Sequence, residues 1–158
     1  MDASGFVLAI AVVAEKPSVA RDVARVLGAT RREPGCLRGD DWIVTWAIGH
    51  LVGLAEPHEM RPDWKRWRRE ALPMIPDDWR LRALDSGRDQ LAAVARVLRD
   101  PEVDSVVCAT DAGREGELIF RYIAEHLGLR KPVRRLWISS LTPDAIRAGF
   151  AGLRDAAD

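Results

Sequence analysis

Cysteine, lysine and tyrosine are all scarce in this 158-residue chain, and its formal net charge at neutral pH is zero. The two cysteines, Cys36 and Cys108, form neither a disulfide framework nor a Cys-x-x-Cys pair. That excludes a stapled secreted scaffold and fits a reducing cytoplasm. Net neutrality removes any global basic signature for nucleic acid. Lysine supplies only 3 of the 24 basic residues, and arginine the rest. A coding bias accounts for that total, while local arginine clusters still offer the planar fork of donors that suits phosphate. The apolar run from Phe6 to Ala14 is too short to span a bilayer, and Met1 to Gly5 carry no basic residue. The run therefore reads as a core strand and not as a signal peptide. What remains is ordinary for one soluble domain: 47% hydrophobic and 30% charged residues.

The chain is organised around Cys108-Ala109-Thr110-Asp111-Ala112-Gly113-Arg114-Glu115-Gly116-Glu117. An apolar run (Val103 to Ala109) precedes it and an amphipathic run (Glu117 to Leu127) follows. The pattern predicts strand, glycine-bearing loop and helix, with two acids and an arginine in the loop. Residues 6–13 predict another buried strand, ending at Ala14-Glu15-Lys16-Pro17-Ser18. A helix follows, with Val19, Val23, Val26 and Leu27 on one face and Gly28 as its stop. Glu15 and Lys16 thus sit at a strand's C-terminal end, on the same sheet edge as Asp111 and Glu115.

Residues 36–48 predict a hairpin turning at Gly39-Asp40, and His50 follows it as either a substrate contact or a loop histidine bonded to backbone. Residues 86–99 predict a helix capped by Ser86, with Leu91, Val94, Ala95 and Leu98 buried. The helix after the central loop buries Leu118, Ile119, Tyr122, Ile123 and Leu127. Residues 133–138 predict a strand, and Thr142-Pro143-Asp144 a final helix. Between them, residues 55–82 are rich in proline, tryptophan and arginine. The run Trp64-Lys65-Arg66-Trp67-Arg68-Arg69 interleaves base-stacking with phosphate-binding side chains, or equally forms a tryptophan-anchored surface helix with a solvated basic face. The alternation of strands and helices argues for an α/β domain with a Rossmann-like, mostly parallel central sheet and helices on both faces.

Acids converging from two strand ends suit a magnesium site, because Mg²⁺ takes one or two carboxylates and fills its shell with water and phosphate. Lys16 and Arg114 would neutralise charge on a phosphodiester, and Glu15 would serve as a general acid. The bland alternative is an exposed Glu15–Lys16 pair, with Glu115 and Glu117 favouring a helix N-terminus.

Three segments together resemble the Toprim domain of type IA DNA topoisomerases, the topoisomerase III branch in particular. They are Glu15-Lys16-Pro17-Ser18, Val44-Thr45-Trp46 with Gly49-His50-Leu51, and Thr110 to Glu117. The likeness covers nearly the whole chain, and Leu136 to Ile146 is similar to the segment leading into the family's next domain. It implies a Toprim domain over residues 1–140, with residues 141–158 beginning a following domain. It also implies a cytoplasmic, nucleoid-associated enzyme that cleaves and reseals single DNA strands with Mg²⁺. Its partners would be single-stranded or negatively supercoiled DNA and its own remaining domains, with no membrane. By the resemblance, Glu15 and Lys16 are catalytic, and Glu15, Asp111 and Glu115 hold the metal. Arg114, Trp67, Arg66 and His50 lie along DNA.

Two departures qualify it. Gly113 stands where the family pattern Asp-x-Asp-Arg-Glu-Gly has its second aspartate, which favours one metal over two. The family's nucleophilic tyrosine lies in a later domain, and Tyr122, the sole tyrosine here, falls on an apolar helix face. The chain alone is therefore expected not to cleave. Rival readings are a stand-alone Toprim nuclease or primase-like protein, and a non-catalytic DNA- or metal-binding module.

Overall fold

The computed structural model describes residues 8–156. Its first strand, β1 (Ala9–Ala14), is buried on both faces, as its unbroken apolar sequence requires. Helix α1 (Pro17–Leu27) begins with proline at its first position and ends at Gly28, whose φ of 76° is the left-handed conformation glycine adopts freely. Strands β2 (Arg31–Glu33), β3 (Cys36–Arg38) and β4 (Trp42–Trp46) form an antiparallel meander. The expected hairpin is its second half; β2 was not anticipated.

The segment 55–82 is bounded by a two-stranded antiparallel ribbon, β5 (Val52–Leu54) with β6 (Leu81–Ala83). Between them lie one helical turn, α2 (Pro57–Met60), and the 3₁₀ turns Pro62–Lys65 and Arg69–Ala71. The expected single short helix is thus broken at Arg66, so Trp64, Trp67 and Arg68 do not share a helical face. Trp64 is buried, while Trp67 is 75% exposed.

Helix α3 (Arg88–Arg99) leads to β7 (Val103–Ala109), helix α4 (Arg114–Leu127) and strand β8 (Val133–Arg135). Helix α5 (Pro143–Ala151) and the two-residue β9 (Arg154–Asp155) complete the described chain. Several local expectations change. Ser86 does not cap α3: it lies in the 3₁₀ turn Asp85–Gly87, and Gly87 is the cap residue. On α3, Ala93 and Val97 are buried where Ala95 was expected. On α4, Phe120 is buried and Leu118 exposed, because the face toward the sheet follows the spacing Gly116, Ile119, Phe120 and Ile123; the helix also begins three residues earlier than the apolar pattern suggests. The strand predicted over 6–13 runs from Ala9, and Phe6 and Val7 lie outside the described residues.

The main sheet has the order β2-β3-β4-β1-β7-β8-β9. The central four strands are parallel, and β2, β3 and β9 add antiparallel edges. Helices α3 and α4 cover one face, where Leu98, Phe120 and Ile123 are buried against Val13 and Val106. Helices α1 and α5 cover the other, where Val23 and Ile146 pack on Val12 and Val107. Each such side chain contributes about 1.5–3 kcal/mol relative to exposure. Ile146 is fully buried and β9 pairs with β8, so residues 143–155 pack on this sheet. The chain leaves β1 toward β4 on one side and returns as β7 on the other. Strand β1 is therefore next to a topological switch, the place where open α/β sheets bind ligands.

Candidate active site

Register brings the two acid-bearing strand ends together. Ala14 of β1 lies level with Trp46 of β4 and Ala109 of β7, so Glu15, Ala47 and Thr110 emerge side by side. Across that gap the backbone N–H of Asp111 donates to Glu15 Oε2 at 3.0 Å. Lys16 Nζ lies 3.6 Å from Asp111 Oδ2, with both side chains more than half exposed. Such an open pair adds little to stability. Its interest is that a cation already sits on the Asp111 carboxylate, beside a second carboxylate.

Arg114 and Glu115 belong to the first turn of α4 and not to the loop before it. Glu115 Oε1 is 2.6 Å from His50 Nε2, which ties the β4–β5 connection to the start of α4. His50 is thus a partner of one of the predicted site acids. Glu15, Asp111 and Glu115 do not close on one point: among the described residues no group of three His, Cys, Asp or Glu does so. Arg114 is exposed, and its side chain has no ion-pair or hydrogen-bond partner among the described residues. Trp67 and Arg66 are exposed on the insert and share no bond with the acid pair. Tyr122 is half-buried, its ring 6.4 Å from that of His50.

The loop holds its shape through residues that the sequence reading passed over. The Thr110 hydroxyl donates to the Gly116 carbonyl at 2.7 Å. A Cβ on Gly116 would lie 2.2 Å from the Asp111 carbonyl oxygen, so only glycine lets the loop fold back on the helix. Arg135, 5% exposed beneath the loop, donates from Nη1 to the Thr110 carbonyl at 2.9 Å and from Nη2 to the Asp111 carbonyl at 2.7 Å. Its Nη1 also reaches Cys108 Sγ at 2.9 Å, and its Nε lies 3.4 Å from Glu117 Oε2 without hydrogen-bond geometry. Burial pushes the Cys108 thiol up, so it stays protonated beside this guanidinium. The available signal was the pair Arg134-Arg135 in the strand predicted over 133–138, where alternation turns one of the two inward.

Residues 10–141 match the family model of the Toprim domain. The chain belongs to that family. It is 51% identical over 145 residues to a DNA topoisomerase 3 of Shouchella clausii, covering 92% of this chain and 20% of that protein. Against the DNA topoisomerase 3 of Bacillus subtilis it is 50% identical over 143 residues, again 20% of the relative's length. Full-length topoisomerase I from Thermotoga maritima has the same fold over 92% of this chain, with a TM-score of 0.58 and 20% identity. This Toprim domain therefore spans about a fifth of the length of the relatives it matches. Gly113 is extended, with φ of −173°, and a Cβ there would meet nothing within 4 Å. The sheet geometry thus leaves room at that position for the aspartate of the family pattern.

Proposed function

We propose that this Toprim domain is the metal- and phosphate-binding part of a DNA topoisomerase III, which cleaves and reseals single DNA strands through a tyrosine carried elsewhere in the protein. The observation that carries the reading is the Asp111 N–H bond to Glu15, which fixes two carboxylates at neighbouring strand ends, with Lys16 already paired to one. The family membership and the topoisomerase relatives point the same way.

In cleavage, the tyrosine oxygen gives up its proton to water and attacks phosphorus, and the bond to the 3′ oxygen breaks. Glu15 passes a proton to that departing oxygen and takes it back on resealing. Lys16 and Arg114, the latter without an ion-pair partner among the described residues, offset charge on the phosphate in the transition state. Mg²⁺ takes one or two carboxylates, so Asp111 would hold it, with Glu15 joining when its carboxyl is ionised and Glu115 only on release from His50. The metal would add positive charge beside the phosphate oxygens. The exposed Trp67 and Arg66 would line the path of a single strand.

The test is a chimera in which this chain replaces the matching fifth of the Bacillus subtilis relative. It is expected to relax negatively supercoiled plasmid with Mg²⁺, and Glu15→Ala to abolish relaxation. Undiminished relaxation by the Glu15→Ala chimera would contradict the role given to Glu15. Nicking of plasmid by the 158-residue chain alone would replace the proposal with that of a stand-alone nuclease.

A further inference from the structure

Helices α1 and α5 cover one face of the main sheet, but the β2–β3 meander runs out past α1. A groove of about 440 Å³ opens there, between the sheet and the flank of α1 turned away from α5. Its volume is within the range of ligand sites. Arg32, Leu37 and Val44 are level in register, so their side chains share this face. Leu37 and the half-buried Trp46 make an apolar floor. Three exposed arginines stand around it: Arg32 from β2, and Arg21 and Arg25 one helical turn apart on α1.

Arg21 and Arg32 have no ion-pair partner among the described residues, and Arg25 has only the exposed Asp22 at 3.1 Å. The one carboxylate in the lining, Glu33, is engaged by Arg38 at 3.3 Å and Arg31 at 3.7 Å. An apolar floor ringed by three cations suits an anion that also carries an apolar group. Strand β2 is the end strand of the sheet, and among the described residues nothing pairs with its outer edge. That edge complements the backbone of an extended peptide. Arginine on an edge strand also guards it against pairing. Here, however, Arg21 and Arg25 reach the same groove from a helix, which has no edge to guard.

We propose that this groove docks an extended acidic segment of a partner protein. The segment's backbone runs along β2, its carboxylates meet Arg21, Arg25 and Arg32, and an apolar side chain lies over Leu37 and Trp46. The surface does not use the Glu15–Asp111 pair, so the inference stands apart from the DNA-cleaving reading above.

The experiment is an NMR titration of the 158-residue chain with a nine-residue peptide made of aspartate-aspartate-leucine repeats, following backbone amides and tryptophan indole N–H signals. The Arg32 and Leu37 amides and the Trp46 indole are expected to move together. The double variant Arg21→Glu, Arg32→Glu is expected to weaken binding about tenfold or more, the loss of at least one charge-assisted bond. The same peptide with asparagine for aspartate is expected to lose as much. Arg147→Glu, an exposed change on α5 outside the groove, is expected to stay within about twofold of wild type. No movement at Arg32 and Leu37 overturns the proposal. So does an equal loss in Arg147→Glu, which would make the binding one of general charge. Tighter binding of hexadeoxythymidine than of the peptide at the same residues overturns it in favour of a nucleic-acid surface.

Discussion

Two glycines of the loop 110–117 have opposite physical roles, and substitution separates them. Gly116 is closed in by the Asp111 carbonyl, whereas Gly113 faces open space. Gly116→Ala is expected to cost about 1–3 kcal/mol in urea unfolding, through forced displacement of the loop. Gly113→Asp is expected to stay within about 0.5 kcal/mol of wild type, as an open surface change. A loss of stability in Gly113→Asp equal to that of Gly116→Ala would show that the loop's packing is misassigned.

A second residue-scale test concerns Asp100, which closes α3. Burial alone raises its carboxyl pKa, but the Glu102 N–H and the Arg38 guanidinium outweigh burial and hold it below the ordinary value. Arg38 Nη2 donates to it at 2.9 Å. A carboxyl with a depressed folded-state pKa stabilises above its unfolded-state pKa, and that contribution is lost as pH falls through the folded value. Asp100→Asn is therefore expected to be about 1–2 kcal/mol less stable than wild type at pH 7. The gap should close in acid, below about pH 4. A gap independent of pH would remove the carboxylate from the account.

At the scale of elements, the parallel core was legible because β1 is an unbroken apolar run and β7 ends in one, Val106 to Ala109, which suits a doubly covered position. The placing of Glu15 and Asp111 at one sheet edge was legible for the same reason: each lies within two residues of the end of such a strand. The start of α4 was not, since Arg114, Glu115 and Glu117 carry no apolar period, and the chain can turn close to Asp111 there because residue 116 is glycine. The insert resisted for a different reason. Its prolines break it into short turns whose placement depends on contacts far along the chain, such as Arg80 donating to the Met60 carbonyl at 2.8 Å.

Within that insert the tryptophans divide by environment. Trp64 is 6% exposed and Arg61 lies 4.8 Å over its ring; Trp67 is 75% exposed. Trp64→Ala is expected to cost about 3–5 kcal/mol in thermal or urea unfolding, and Trp67→Ala to be neutral within about 0.5 kcal/mol. Equal losses would mean that Trp67 is covered in solution. Its large exposed surface would then no longer be available to a nucleic-acid strand.

For the whole molecule, the decisive feature is that sheet order and register bring Glu15 and Asp111 from strands nearly a hundred residues apart into one hydrogen bond. Helices α1 and α4 both start at this edge, and Arg135 braces the loop from below. The account rests on that acid pair being a site for a divalent cation, whichever longer protein carries it. Calorimetric titration of the 158-residue chain with Mg²⁺, beside Asp111→Asn, tests this most directly. Binding by the wild-type chain that weakens about tenfold or more in the variant is the predicted result, since even outer-shell partners of a metal are worth about that much. No binding by the wild-type chain, or equal affinity in the two, would contradict the account.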